Sequence, residues 1–144
     1  MRGIYLGSLV YADVNGPESF APWLDRLTRQ ILQHMKKSVP VEEFTQAGDP
    51  LWVDYGYRRN GTHGYIHALS LARDPAQAKV LAYTFDAIRA RQPHSEFTAI
   101  TEASASPENP RDQFVVRLFA NSGISLVALS QVEKFADDLR PRLN

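Results

Sequence analysis

The sequence contains no cysteine, which excludes disulfides, thiolate nucleophiles and sulfur-ligated zinc as sources of stability or chemistry. It also has no net charge, because sixteen Lys plus Arg cancel sixteen Asp plus Glu. No overall field therefore draws in nucleic acid or an anionic membrane, and any such partner needs a local patch. Long hydrophobic runs are missing too. The apolar stretch after Arg2 is short and is broken by Gly7 and Ser8 before Asp13; it reads as a strand and not as an export signal. A cytoplasmic setting with no membrane partner is the expectation. Without export, the Asn60-Gly61-Thr62 glycosylation sequon has no chemistry to carry. Neither a P-loop nor a dinucleotide fingerprint occurs, and Gly3 and Gly7 fall inside the first strand-like run. No cofactor is expected.

What is present is ordinary globular composition: 144 residues, 44% hydrophobic and 22% charged. A chain of this length hides about 68–70% of its unfolded surface on folding, enough for a real core. No linker, repeat or charge block divides it, so one domain spanning 1–144 is expected.

Periodicity and turn chemistry give the elements. Residues Ile4 to Tyr11 read as a strand ending at the turn formers Asp13 to Pro17. From Ser19, Phe20, Trp23, Leu24, Leu27, Ile31 and Met35 fall at helical spacing, with Pro22 in the first turn and Lys36 and Lys37 at the C-terminal end. Val39 to Pro50 reads as irregular. Leu51 to Arg59 and Thr62 to Leu71 are strand-like runs joined by Asn60-Gly61, the dipeptide a type I′ hairpin turn prefers. Asp74-Pro75-Ala76-Gln77 opens a helix whose stripe is Ala78, Leu81, Phe85 and Ile88, closed by Pro93. Phe97 to Ala103, Gln113 to Ala120 and Ile124 to Leu129 read as strands, with a polar loop from Ser104 to Asp112 and a turn at Asn121-Ser122-Gly123. Ser130-Gln131-Val132-Glu133 is a capping box ahead of a last helix with Val132, Phe135, Ala136 and Leu139 on one side. The order β-α-β-β-α-β, followed by β-β-α, predicts an α+β fold. Its plan is a ferredoxin-like split βαβ core, an antiparallel sheet with helices mainly on one face and a C-terminal β-β-α extension.

A two-residue turn at Asn60-Gly61 sets Arg59 opposite Thr62, Arg58 opposite His63, Gly56 opposite Tyr65 and Asp54 opposite His67. One face then carries Leu51, Val53, Tyr55, Tyr57, Ile66 and Ala68 and is read as core. The other carries Trp52, Asp54, Arg58, His63, Tyr65 and His67, rings and directed donors that suit recognition on a surface turned away from the helices. These six residues are the candidate binding set; Tyr65 would otherwise simply shield Gly56.

Catalytic and metal readings are thinner. Asp54 opposite His67 could orient an imidazole as a general base for a hydrolase or isomerase, but no nucleophile elbow or carboxylate pair completes a mechanism. His63 and His67 lie about 13 Å apart along a strand, too far to share a metal. His34 and His94 have no ligand-spaced partner, so no metal site is expected.

Ile4-Tyr5-Leu6-Gly7-Ser8-Leu9 is similar to the first-strand motif of RNA recognition motif domains, and the element order agrees. That resemblance implies single-stranded RNA stacked on Tyr5, His63 and Tyr65, with Arg58 assisting and Arg59 and Arg111 near phosphates. The matching third-strand motif departs from the family at Gly61, Thr62, His63 and Ala68. With no catalytic constellation, the leading expectation is a non-enzymatic binding protein that recognises a protein partner, or its own copy, through the hairpin face. Inhibitors, immunity-type proteins and adaptors are the analogues at the level of fold.

Overall fold

A computed structural model describes residues 35–142 of the chain. The strand expected at Ile4 to Tyr11 and the helix expected from Ser19 lie outside the described residues, apart from the end of that helix. There the structure differs from the expectation. Met35–Pro40 is a strand, β1, in which Met35 and Val39 are half-buried while Lys36, Lys37 and Ser38 are exposed. The helical spacing that reaches Met35 is a local signal, and pairing with the next strand overrides it. Val41 to Pro50 is irregular as expected, with Val41 fully buried.

The hairpin follows its sequence closely between Tyr55 and Ile66, whereas Leu51 and Val53, expected on the face of Tyr55 and Tyr57, pack instead in the cluster that holds Tyr65. β2 (Trp52–Arg59) and β3 (Thr62–Leu69) pair antiparallel with Arg59 opposite Thr62, Arg58 opposite His63 and Gly56 opposite Tyr65. Asn60 and Gly61 both take positive φ, 49° and 82°, as a type I′ turn requires. After β3 come α1 (Gln77–Arg91), β4 (Ser95–Thr101), α2 (Pro110–Ser122), β5 (Ile124–Ala128) and α3 (Val132–Leu139). A single 3₁₀ turn, Leu129–Gln131, leads into α3, and no side-chain cap forms there.

Among the described residues the result is a mixed five-stranded sheet in the order β1-β2-β3-β4-β5 with three α-helices packed on it. β1, β2 and β3 form an antiparallel meander, whereas β3, β4 and β5 are parallel. Two expectations are corrected here. A split βαβ plan keeps a strand between the two it connects, but β3 and β4 are hydrogen-bonded neighbours. Gln113 to Ala120 is not a strand: Asn109 caps the helix by accepting from the backbone N–H groups of Arg111 and Asp112, Pro110 opens it, and Gly123 closes it in the left-handed conformation. The polar loop is shortened accordingly. Its Ser106 backbone N–H donates to the buried Asp112 carboxylate at 2.8 Å, tying the loop to α2.

Both faces of the sheet are covered. On one, α1 and α2 pack Leu81, Phe85, Ile88, Val115 and Phe119 against Tyr65, Leu69, Phe97, Ala99 and Ile124. On the other, α3 packs Val132, Ala136 and Leu139 against Tyr55, Tyr57, Ile66 and Ile100. Full burial of one such large apolar side chain contributes about 1.5–3 kcal/mol, so these layers hold the sheet.

Candidate functional site

The six candidate residues do not form one continuous open surface. Tyr65 is buried: its ring stacks on Phe97 with centroids 5.7 Å apart, and Phe97 in turn stacks on Phe85 of α1 at 4.5 Å. The face assigned to recognition is thus the face that α1 and α2 cover. Helices reach it because the β3-α1-β4 and β4-α2-β5 connections both return across that side, a constraint that hairpin register alone does not carry. The tyrosine and Val39 occupy the space beside Gly56, where an added Cβ would lie 3.1 Å from Val39 Cγ2. With its ring between strands and helix, Tyr65 is not free to stack on a base. Tyr5, the first residue of the RNA reading, lies outside the described residues. Trp52 stands alone at the far end of β2, 55% exposed.

Arg58 and His63 remain at the surface, opposite one another beside the hairpin tip. They open onto a cavity of about 770 Å³ lined also by Met35, Lys36, Val39, Glu43, Phe44, Tyr65 and Gln92. Two buried glycines, Gly56 and Gly64, belong to its wall, covered by Val39 and Tyr65 and by the Tyr57 ring respectively. The Tyr65 hydroxyl donates to Gln92 Oε1 at 2.5 Å, fixing the ring's polar end at the cavity. No carboxylate among the described residues forms an ion pair with Lys36 or Arg58.

Asp54 and His67 meet just beyond the last ladder pair, Tyr55 opposite Ile66, with Nδ1 3.4 Å from a carboxylate oxygen. The contacts assign the proton. The Asp54 backbone N–H donates to His67 Nδ1 at 3.2 Å, which needs a lone pair on that nitrogen, while the Asp54 carboxylate accepts the Ala68 N–H at 2.8 Å. Burial pushes the His67 imidazole below its ordinary value, against a smaller opposing pull from the Asp54 charge. The ring is therefore neutral at pH 7, protonated on Nε2, and it closes the ladder where β2 and β3 stop exchanging backbone bonds. Neither residue lines the hairpin-end cavity. This pair is built to hold strands together.

A pH dependence follows. Below about pH 6.5 the unfolded chain takes up a proton that the folded imidazole resists. Stability contributed by His67 is present above that value and is lost as the pH falls through the lowered folded value. Urea midpoints at pH 7.5 and 5.5 are expected to differ less in His67→Gln than in the parent; an unchanged difference contradicts the assignment.

A third cluster has no counterpart in the sequence reading. Tyr57 and Arg59 of β2 both reach across β3 to Glu96 of β4: the buried tyrosine hydroxyl donates to Oε2, and Arg59 donates from Nε to Oε2 at 2.9 Å and from Nη2 to Oε1 at 2.7 Å. Burial first, and the adjacent carboxylate second, push the Tyr57 phenol well above its ordinary value. Gly64 makes the crossing possible, since the Tyr57 ring lies where a Gly64 side chain would be. The signal for this in the sequence is Gly64 opposite an aromatic in the hairpin register, though nothing local points to Glu96 as the far anchor.

No protein-family model, curated protein or solved structure matches the chain. Its chemistry must be read from its own geometry. Among the described residues no group of three His, Cys, Asp or Glu is placed to hold a metal ion, and no helix is long and apolar enough to cross a membrane.

Proposed function

We propose that the chain is a non-enzymatic binding protein that recognises a protein partner through the hairpin end of β2 and β3. The cavity of about 770 Å³ carries this reading, because it joins the Arg58, His63 and Lys36 donors to an apolar wall of Met35, Val39, Phe44 and Tyr65. Binding sites combine such a wall with a few directed polar groups. The sheet behind it is fixed by the Asn60-Gly61 turn and by stacked aromatics, so the backbone that carries the donors needs no reordering on binding. Of the six residues first singled out, Arg58, His63 and Tyr65 belong to this cavity; Asp54 and His67 support the strands, and Trp52 offers a separate exposed ring. A cytoplasmic inhibitor, immunity-type protein or adaptor is the class of molecule to which the reading points.

The test compares proteins recovered from native lysate by the parent chain and by Lys36→Glu/Arg58→Glu. Both side chains are at the surface, so the fold is expected to persist by circular dichroism. A partner that is retained by the parent and lost from the variant is the expected outcome. Equal recovery by both overturns the proposal.

A further inference from the structure

The outer side of α1 has a pattern that its inner side does not explain. Ala78, Leu81, Ala82, Phe85 and Ile88 face the sheet and are buried. On the opposite side, Ala76, Val80, Tyr83, Ala87 and Ala90 are apolar at successive steps of four, three, four and three residues. That spacing is the seam of a helix that packs along another helix, and here it runs about 21 Å. Val80 is 41% and Tyr83 65% exposed, and Phe114 of α2, beside Lys79, is 38% exposed. Three of the four exposed large hydrophobics among the described residues thus lie on this one outer face, the remaining one being Trp52. Clustering of this kind marks an interaction surface.

The charges beside the seam select the occupant. Lys79 precedes Val80 and Asp86 precedes Ala87, so one flank carries opposite charges seven residues apart. An antiparallel two-fold pairing that sets Val80 against Tyr83 of the partner subunit also sets Ala76 against Ala87 of the partner subunit. The same register brings Lys79 opposite Asp86 of the partner subunit, and symmetry makes that contact twice. A surface complementary to itself in apolar steps and in charge is what a two-fold interface requires. Alanines at two of the four positions that this register pairs let the helix axes approach closely. Asp86 already bonds Arg89 at 2.7 Å, but with the carboxylate 62% exposed that pair is weak and leaves the second oxygen for another donor.

We infer that α1 is a homodimerisation helix, joining two copies of this chain antiparallel through the Ala76, Val80, Tyr83 and Ala87 seam. The inference is independent of the hairpin-end cavity. Sedimentation of the full chain over a range of concentrations is expected to show a reversible monomer–dimer equilibrium. Tyr83→Asp abolishes the dimer. Lys79→Glu places like charges opposite each other twice and raises the dissociation constant about tenfold, and adding Asp86→Lys to it restores association. All three positions are exposed, so circular dichroism is expected to stay unchanged. A chain that is monomeric at every concentration overturns the inference and leaves the face to a different protein. A dimer insensitive to both Tyr83→Asp and Lys79→Glu also overturns it.

Discussion

Gly64→Ala is expected to destabilise the fold by about 3 kcal/mol or more, at the upper end of what overpacking a core costs. The new methyl group would fall inside the Tyr57 ring. That ring has little room to retreat, because its hydroxyl is bound to Glu96 and its body is packed with Ile66 and Ile100 under α3. The cost should therefore belong to the pair. In a Tyr57→Ala background, where the obstacle is gone, the same glycine substitution should cost far less, and a double-mutant cycle of denaturant midpoints measures the difference. Additive costs in that cycle would show that the glycine is needed for some other reason. Gly61 is a different case: its φ of 82° restricts the side chain it can bear, yet nothing lies within 4 Å of an added Cβ.

Glu96→Ala has the second large effect. It removes the acceptor shared by a buried phenol and a guanidinium, and leaving a buried donor unsatisfied costs about 1–3 kcal/mol. Glu96→Gln keeps one carbonyl oxygen and should fall between the parent and the alanine variant. The same cluster sets the alkaline limit. A tyrosine in the unfolded chain releases its proton near pH 10, whereas the folded Tyr57 resists ionisation. Above about pH 10 the unfolded state gains by losing that proton, so the stability contributed by Tyr57 is lost as the pH rises toward the elevated folded value. Tyr57→Phe should lose the hydrogen bond at neutral pH but show a shallower decline in thermal stability between pH 9 and 11. An equally steep decline in the phenylalanine variant would place the alkaline sensitivity elsewhere.

The parts of this fold that were legible in the sequence are those fixed by local chemistry. Asn60-Gly61 determines a turn type, the turn determines the register, and the register pairs Arg58 with His63 and Gly56 with Tyr65. α1, β4, β5 and α3 likewise lie where periodicity and turn residues put them, within a residue or a few at their ends. The misreading of Gln113 to Ala120 has a specific cause. Phe114, Val115 and Val116 form a run typical of strands, and the competing signals, Asn109-Pro110 before it and Gly123 after it, are spaced for a helix of thirteen residues. Caps outweighed composition. At Met35 the reverse happened, since a helical apolar spacing gave way to a ladder with Tyr57.

The candidate site was less legible because it depends on which face the helices cover. Hairpin alternation sorts Tyr65 and His67 together without saying what lies above them; α1 and α2, returning between parallel strands, supply that answer. Only the end of the hairpin, beyond the reach of those helices, keeps Arg58 and His63 in contact with solvent. Glu96 belongs to the same lesson. Its partners are 39 and 37 residues away in sequence, and no spacing rule connects them.

The most direct measurement is photo-crosslinking in native lysate from a benzophenone side chain placed at Arg58 beside the hairpin-end cavity, with the same probe at the exposed Glu133 of α3 as control. A discrete protein adduct is expected from the first position and none from the second. Adducts of equal yield at both positions, or at neither, would contradict that expectation.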